Sequence, residues 1–217
     1  FEFDGKKFSG YQGDTLASAL LANGVQLMGR SFKYHRPRGP FTSGSEEPNA
    51  IVELREGARK EPNTRATTIE LYDDLIAKSQ NRWPSLGFDM MAVNDLFSNF
   101  LTAGFYYKTF MWPAAFWEKL YEPIIRRAAG LGSASLEADP DCYDKGFLHC
   151  DLLIIGAGAA GLAAALVTGR AGLDVILADE DFLIGGRLNQ ESFSIDDQAG
   201  SAFAASTYEE LASLPNV

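Results

Sequence analysis

The sequence predicts a multi-domain α/β protein, on three observations. Residues 1–71 run in the order hairpin, helix, loop and two strands, which is the order of a β-grasp domain. Residues 151–188 run strand, glycine-rich turn, helix, strand and acid, the order that opens a Rossmann-type domain. Between them lies a stretch crowded with aromatic residues. The expected boundaries are 1–78 for the β-grasp domain, 79–149 for an aromatic-rich helical connector, and 150–217 for the incomplete Rossmann-type domain.

Each element has a local cause. Phe1–Phe3 and Lys7–Tyr11 read as strands around Asp4-Gly5, a two-residue turn signal. Asp14 or Thr15 caps a helix through Leu16–Ala22, and Gly24 stops it. A loop rich in glycine and proline follows from Gly29 to Pro48. Ala50–Leu54 and Ala66–Leu71, rich in β-branched residues, read as the next strands. Residues 76–112 read as irregular, with a short helix at Val93–Phe100. A clearer helix spans residues 114–129, with Pro113 at its start and Gly130 and Gly132 at its end.

Asp151–Ile155 reads as a buried parallel strand leading into Gly156-Ala157-Gly158-Ala159-Ala160-Gly161. In that pattern Gly156 permits the turn, Gly158 lets backbone approach a pyrophosphate, and Gly161 lets the helix pack on the strand. Ala165 and Gly172 stand where close helix packing asks for small residues. The second strand, Val175–Ala178, ends on Asp179, 23 residues after Gly156, the distance expected of an acid that bonds a ribose hydroxyl. Asp179, Glu180 and Asp181 would repel a 2′-phosphate, which speaks against NADP and in favour of NAD or FAD. Two strands are too few for such a domain, so the chain is expected to be a piece of a longer polypeptide.

Bulk properties exclude several classes. The net charge of −10 argues against a nucleic-acid partner. No run reaches the roughly 18 apolar residues of a membrane span. Cys142 and Cys150 are the only cysteines, at a spacing that suits neither a redox pair nor a zinc site, and they read as structural thiols in a reducing, cytoplasmic setting. His35 and His149 have no sequence neighbour that makes them a base or a ligand. The basic loop Arg30–Gly39 is open to two readings, an anion or partner contact and a solvated or salt-bridged loop. The aromatic cluster of Phe105, Tyr106, Tyr107, Phe110, Trp112, Phe116, Trp117 and Tyr121 is expected to be buried between domains or under a partner subunit. No catalytic constellation is present, so a cofactor would carry the chemistry.

The strings Ser31–Gly39, Glu46–Ala50, Ser79–Ser85, Ala103–Pro113 and Phe116–Pro123 resemble the N-terminal part of the α subunits of heterotetrameric sarcosine oxidases. The resemblance implies a [2Fe–2S] ferredoxin-like β-grasp fold. Residues 24–54 contain no cysteine, so the iron–sulfur cluster is expected to be lost. It further implies NAD in the second domain, FAD in the β subunit and FMN at the α–β boundary, with β, γ and δ type subunits as partners. The implied reaction is oxidation of sarcosine to glycine, with peroxide formed and the one-carbon unit passed to tetrahydrofolate. Carried over by motif, Gly156, Ala157, Gly158, Ala160 and Gly161 surround the pyrophosphate. Asp179 holds the ribose with Glu180 beside it, and Gly186, Arg187 and Leu188 line the same nucleotide. Two alternatives stand beside this one: an opine or amine dehydrogenase subunit with a flavin in the same site, and a scaffold with a vestigial site.

Overall fold

The computed structural model describes all residues but Phe100, Thr109, Phe193 and Asp196, and the side chains of Tyr106 and Tyr107. It divides into two units, residues 1–42 with 47–140 and residues 43–46 with 141–217. No helix among the described residues is long and apolar enough to cross a membrane.

In the first unit, β1 (Glu2–Phe3) and β2 (Lys6–Lys7) form the expected hairpin. Asp4 and Gly5 both take positive φ, which the tight turn requires. Helix α1 (Leu16–Ala22) starts at Thr15, whose hydroxyl accepts from the Ser18 N–H at 3.1 Å while the Ser18 hydroxyl accepts from the Thr15 N–H at 2.9 Å. Strands β3 (Ile51–Leu54), β4 (Glu61–Arg65) and β5 (Ile76–Ser79) complete a sheet of order β2-β1-β5-β3-β4. The parallel β1–β5 pair at its centre brings the two ends of the domain together.

The sheet departs from the expected strands at two places. Ala66–Leu71 is not a strand, because the chain turns there and buries Ala66 and Thr67 under α1. The partner of β3 is instead Glu61–Arg65, a poor β-former that its register with β3 holds in place. Ile76–Ser79, read as irregular, is the strand next to β1. Leu16, Leu20, Met28, Val52, Leu54 and Leu75 fill the core beneath the sheet. Each such side chain contributes about 1.5–3 kcal/mol by burial.

The remainder of this unit is helical in short pieces. Met90–Phe97 is a 3₁₀ segment capped by Asp89, shifted from the expected Val93–Phe100, whose last residue lies outside the described residues. Residues 114–121 are tight and wide helical turns that run into α2 (Glu122–Ala129), and Gly130 ends it with φ 63°. Of the aromatic cluster, Trp112 is 83% exposed and Phe116 is exposed as well, whereas Phe105, Phe110, Trp117 and Tyr121 are half-buried. Tyr106 and Tyr107 of that cluster lie outside the described side chains.

In the second unit, β6 (Leu152–Ile155) pairs in parallel with β7 (Val175–Ala178), joined by α3 (Ala159–Arg170). Helix α4 (Gly200–Ser213) packs on α3 around Leu162, Ala165, Leu188, Ala204 and Leu211. The expectation of a fully buried strand is met on one face only. Leu152 and Ile154 pack inward, whereas Leu153 and Ile155 are 55% and 75% exposed. Gly172 is also reassigned. A Cβ there would touch nothing, and its φ of 85° shows that it ends the helix. The close contact falls at Gly169, where a Cβ would come within 2.7 Å of Val217.

Candidate functional site

The glycine turn of the second unit is built from three backbone approaches. Gly156 takes φ 101° and donates to the Ala178 carbonyl at 2.7 Å, which ties the turn to the end of β7. A Cβ on Gly161 would lie 1.8 Å from the Gly156 carbonyl oxygen, so only glycine lets α3 start this close to β6. The Gly186 backbone passes Gly158 so closely that a Cβ on Gly186 would stand 3.4 Å from the Gly158 Cα. Gly185 reinforces that passage, donating to the Ala157 carbonyl at 2.9 Å.

Gly158 is the N-cap of α3, and no side chain caps the helix there. A Cβ on Gly156 or Gly158 would meet nothing within 4 Å. The first N–H groups of a helix have no partner inside it and carry partial positive charge. Here they open, beside Ala160, on a space bounded by glycine backbone, the arrangement that takes a phosphate.

Asp179, at the end of β7, accepts from the Ala157 N–H through Oδ2 and from the Asp181 N–H through Oδ1 at 2.8 Å. Each carboxylate oxygen keeps a lone pair for a ribose hydroxyl. Burial pushes the Asp181 carboxyl above its usual range, and the charges of Asp179 and Glu180 add to this against two backbone N–H donors. An added phosphate dianion would meet the same repulsion. The other expected residues are placed differently. Leu188 is buried in the core, so only its backbone faces the loop, and the Arg187 guanidinium pairs with Glu191.

Two arginines of the basic loop are engaged within the first unit. Arg30 donates to the Leu86 carbonyl at 2.6 and 3.0 Å, and Arg36 donates to Asp95 at 2.7 and 3.0 Å. His35, which has no partner nearby in sequence, finds one 54 residues on. Its Nδ1 lies 2.6 Å from Asp89 Oδ2, and its Nε2 lies 3.0 Å from the Ala128 carbonyl at the end of α2. Both neighbours are acceptors, so the network is complete when both ring nitrogens donate. His35 is 3% exposed and the Asp89 side chain fully buried, so the pair joins segments distant in sequence inside the first unit.

The second group that sequence reading missed is Glu47, 1% exposed in the loop before β3. Its Oε2 accepts from the N–H groups of Phe41 at 2.7 Å and Thr42 at 2.5 Å, and from the Thr42 hydroxyl at 3.2 Å. Its Oε1 accepts from Asn49 at 2.6 Å and Ala50 at 3.1 Å. Burial opposes the charge, yet the four N–H donors outweigh it and hold the carboxyl below its usual range.

Comparison with known proteins places both units. Residues 1–82 match the family described as 2Fe-2S iron-sulfur cluster binding domain, and residues 151–212 match FAD dependent oxidoreductase. Sarcosine oxidase subunit alpha of Rhizobium meliloti is 65% identical over all 217 residues. The chain is related over its whole length to sarcosine oxidase subunit alpha. It spans 22% of the Rhizobium meliloti subunit. Against the subunit from Corynebacterium sp. strain P-1 it is 33% identical over 213 residues, 96% of this chain and 17% of that one. A solved structure, L-proline dehydrogenase from P. horikoshii, aligns over 95% of this chain and 30% of that one, with a TM-score of 0.49 and 19% identity.

The two family descriptions fare differently against the residues present. The glycine turn, the uncapped helix start and Asp179 fit the ADP half of a dinucleotide. An iron–sulfur cluster does not fit the first unit, because residues 1–82 contain no cysteine to ligate it. Among the described residues no group of three histidine, cysteine or acidic side chains is placed to hold a metal ion.

Proposed function

We propose that this chain is part of an amine-oxidising oxidoreductase of the sarcosine oxidase kind, and that its second unit binds the ADP half of a dinucleotide. The observation that carries the site is the helix start at Gly158, uncapped and facing space that any side chain would fill. Gly156, Ala157, Gly158, Ala160 and Gly161 surround the pyrophosphate, and Asp179 with Glu180 receives the adenosine ribose. Gly186, Arg187 and Leu188 border the nucleotide through backbone. The chain's division of labour is a cluster-free β-grasp domain over 1–78, a connector over 79–149, and the nucleotide domain from 150.

The nucleotide in this reading is NAD, held in a supporting role. FAD belongs to a β type subunit and FMN to the α–β boundary, with γ and δ type subunits completing a cytoplasmic complex. The complex converts sarcosine to glycine with release of peroxide and transfer of the one-carbon unit to tetrahydrofolate. The 65% identity over the whole chain supports the family of reaction. A flavin in the same site is the second reading, favoured by the match of residues 151–212 to FAD dependent oxidoreductase.

Mass spectrometry of the nucleotide released when the full-length native protein is denatured separates these readings. NAD released by the α type subunit supports the first, and FAD released by it supports the second. A subunit that releases neither, and takes up neither when supplied, contradicts both.

A further inference from the structure

The domain that matches an iron–sulfur family has no thiolate, yet its loop before β3 is not a loose remnant. Four backbone N–H groups and one hydroxyl converge on a single buried anion, the Glu47 carboxylate. In plant-type [2Fe–2S] domains, three ligating cysteines stand in a run with four and then two residues between them, and hydrogen bonds to the cluster tune its potential. Thr42, Glu47 and Ala50 stand at that spacing. They are also among the residues that meet in the nest: Thr42 and Ala50 as donors, Glu47 as the anion.

We propose that the Glu47 carboxylate stands in for the iron–sulfur cluster, as the internal anion around which this loop folds. A cluster and a carboxylate share what the loop needs, negative charge and several acceptor lone pairs in one place. The replacement keeps the fold of the loop and removes its redox chemistry. Glu47 supplies from within the chain what an inserted cofactor supplies elsewhere, and the other two lost-ligand positions, Thr42 and Ala50, persist as walls of the nest.

The proposal makes the loop an anion site that can be emptied and refilled. In the full-length protein, Glu47→Gly should leave the donors in place without their anion, and trypsin should cut after the exposed Arg38 about tenfold faster. Roughly 0.1 M formate should restore the resistance of that variant, whereas sodium chloride of equal ionic strength should not. If formate and chloride act alike on Glu47→Gly, or if Glu47→Gln is cut no faster than the unaltered protein, the anion role is wrong. Where Glu47→Gly fails to accumulate, the Glu47→Gln comparison decides alone.

The positional half has its own test. A variant carrying Thr42→Cys, Glu47→Cys and Ala50→Cys should bind one more cadmium ion per chain than the unaltered protein, seen as thiolate-to-cadmium absorption beyond that from Cys142 and Cys150. A folded triple variant without that absorption would show that the three positions do not converge as ligands, and would overturn the correspondence with the cluster site.

Discussion

Around Glu47 four backbone N–H groups end on one carboxylate, whereas at the start of α3 the N–H groups beyond Gly158 meet no capping side chain. The first nest is filled by the chain itself and the second is left open. A buried donor without a partner costs about 1–3 kcal/mol, so a filled nest stabilises the fold it sits in. The open N–H groups at the start of α3 have hydrogen bonds and partial positive charge to offer an anionic ligand. The joint of His35, Asp89 and Ala128 belongs with the filled kind: three segments distant in sequence share one closed network.

The comparison can be broken by emptying the filled side and blocking the open one. Asp89→Ala carries the largest expected effect. It leaves His35 and the N–H groups of Trp83 and Met91 without their acceptor, and should lower stability by about 3–5 kcal/mol in denaturant titration, with nucleotide binding by the second unit unchanged. A stability equal to that of the unaltered protein would mean that the joint is not structural. Gly161→Val comes next. Its Cβ would stand 1.8 Å from a carbonyl oxygen, and the turn should open at a cost of about 1–3 kcal/mol with loss of bound nucleotide.

Asp179→Asn should act on binding more than on stability, weakening the dinucleotide about tenfold in calorimetry, since a hydrogen bond to a charged acceptor is exchanged for a neutral one. A change in stability alone would assign Asp179 to holding the Ala157 N–H. For pH, the sign follows from the lowered Glu47 carboxyl. Its contribution is complete above the ordinary value of 4.5, and it is lost as pH falls through the lower folded value. Amide protection across residues 39–50, taken relative to the intrinsic exchange rate at each pH, should fall only on the acid side. Loss of protection between pH 5 and 8 would point to another group. The smallest effect is expected at Arg170→Ala. The Arg170–Glu210 pair is open to solvent, and its loss should not be separable from the unaltered protein in thermal unfolding.

Much of the second unit was legible because its constraints are local. Gly156, Gly158, Gly161 and Asp179 each answer to a neighbour within one βαβ unit, and spacing alone reports that. The exposed face of β6 was not legible, since an apolar run reads the same whether one face or both are covered. In the first unit the hairpin at Asp4-Gly5 and the Thr15 cap were readable for the same local reason. Strands β4 and β5 were not, because Glu61–Arg65 is held by register with β3 and Ile76–Ser79 by a parallel partner at the other end of the domain. His35 and Asp89 are 54 residues apart, a separation that no motif encodes. Glu47 leaves only a faint signal in the sequence, the spacing of Thr42, Glu47 and Ala50 in a loop without cysteine.

Titration of NAD, and separately of FAD, into full-length protein stripped of nucleotide, in parallel with a Gly158→Leu variant, tests the central claim most directly. The Gly158 backbone, with φ of −75°, accepts a side chain without strain, so only the space beyond it changes. The account predicts that one dinucleotide binds per unaltered chain and that the variant loses at least about a hundredfold in affinity with unchanged unfolding behaviour. Equal binding by both proteins would show that the open nest is not the phosphate site.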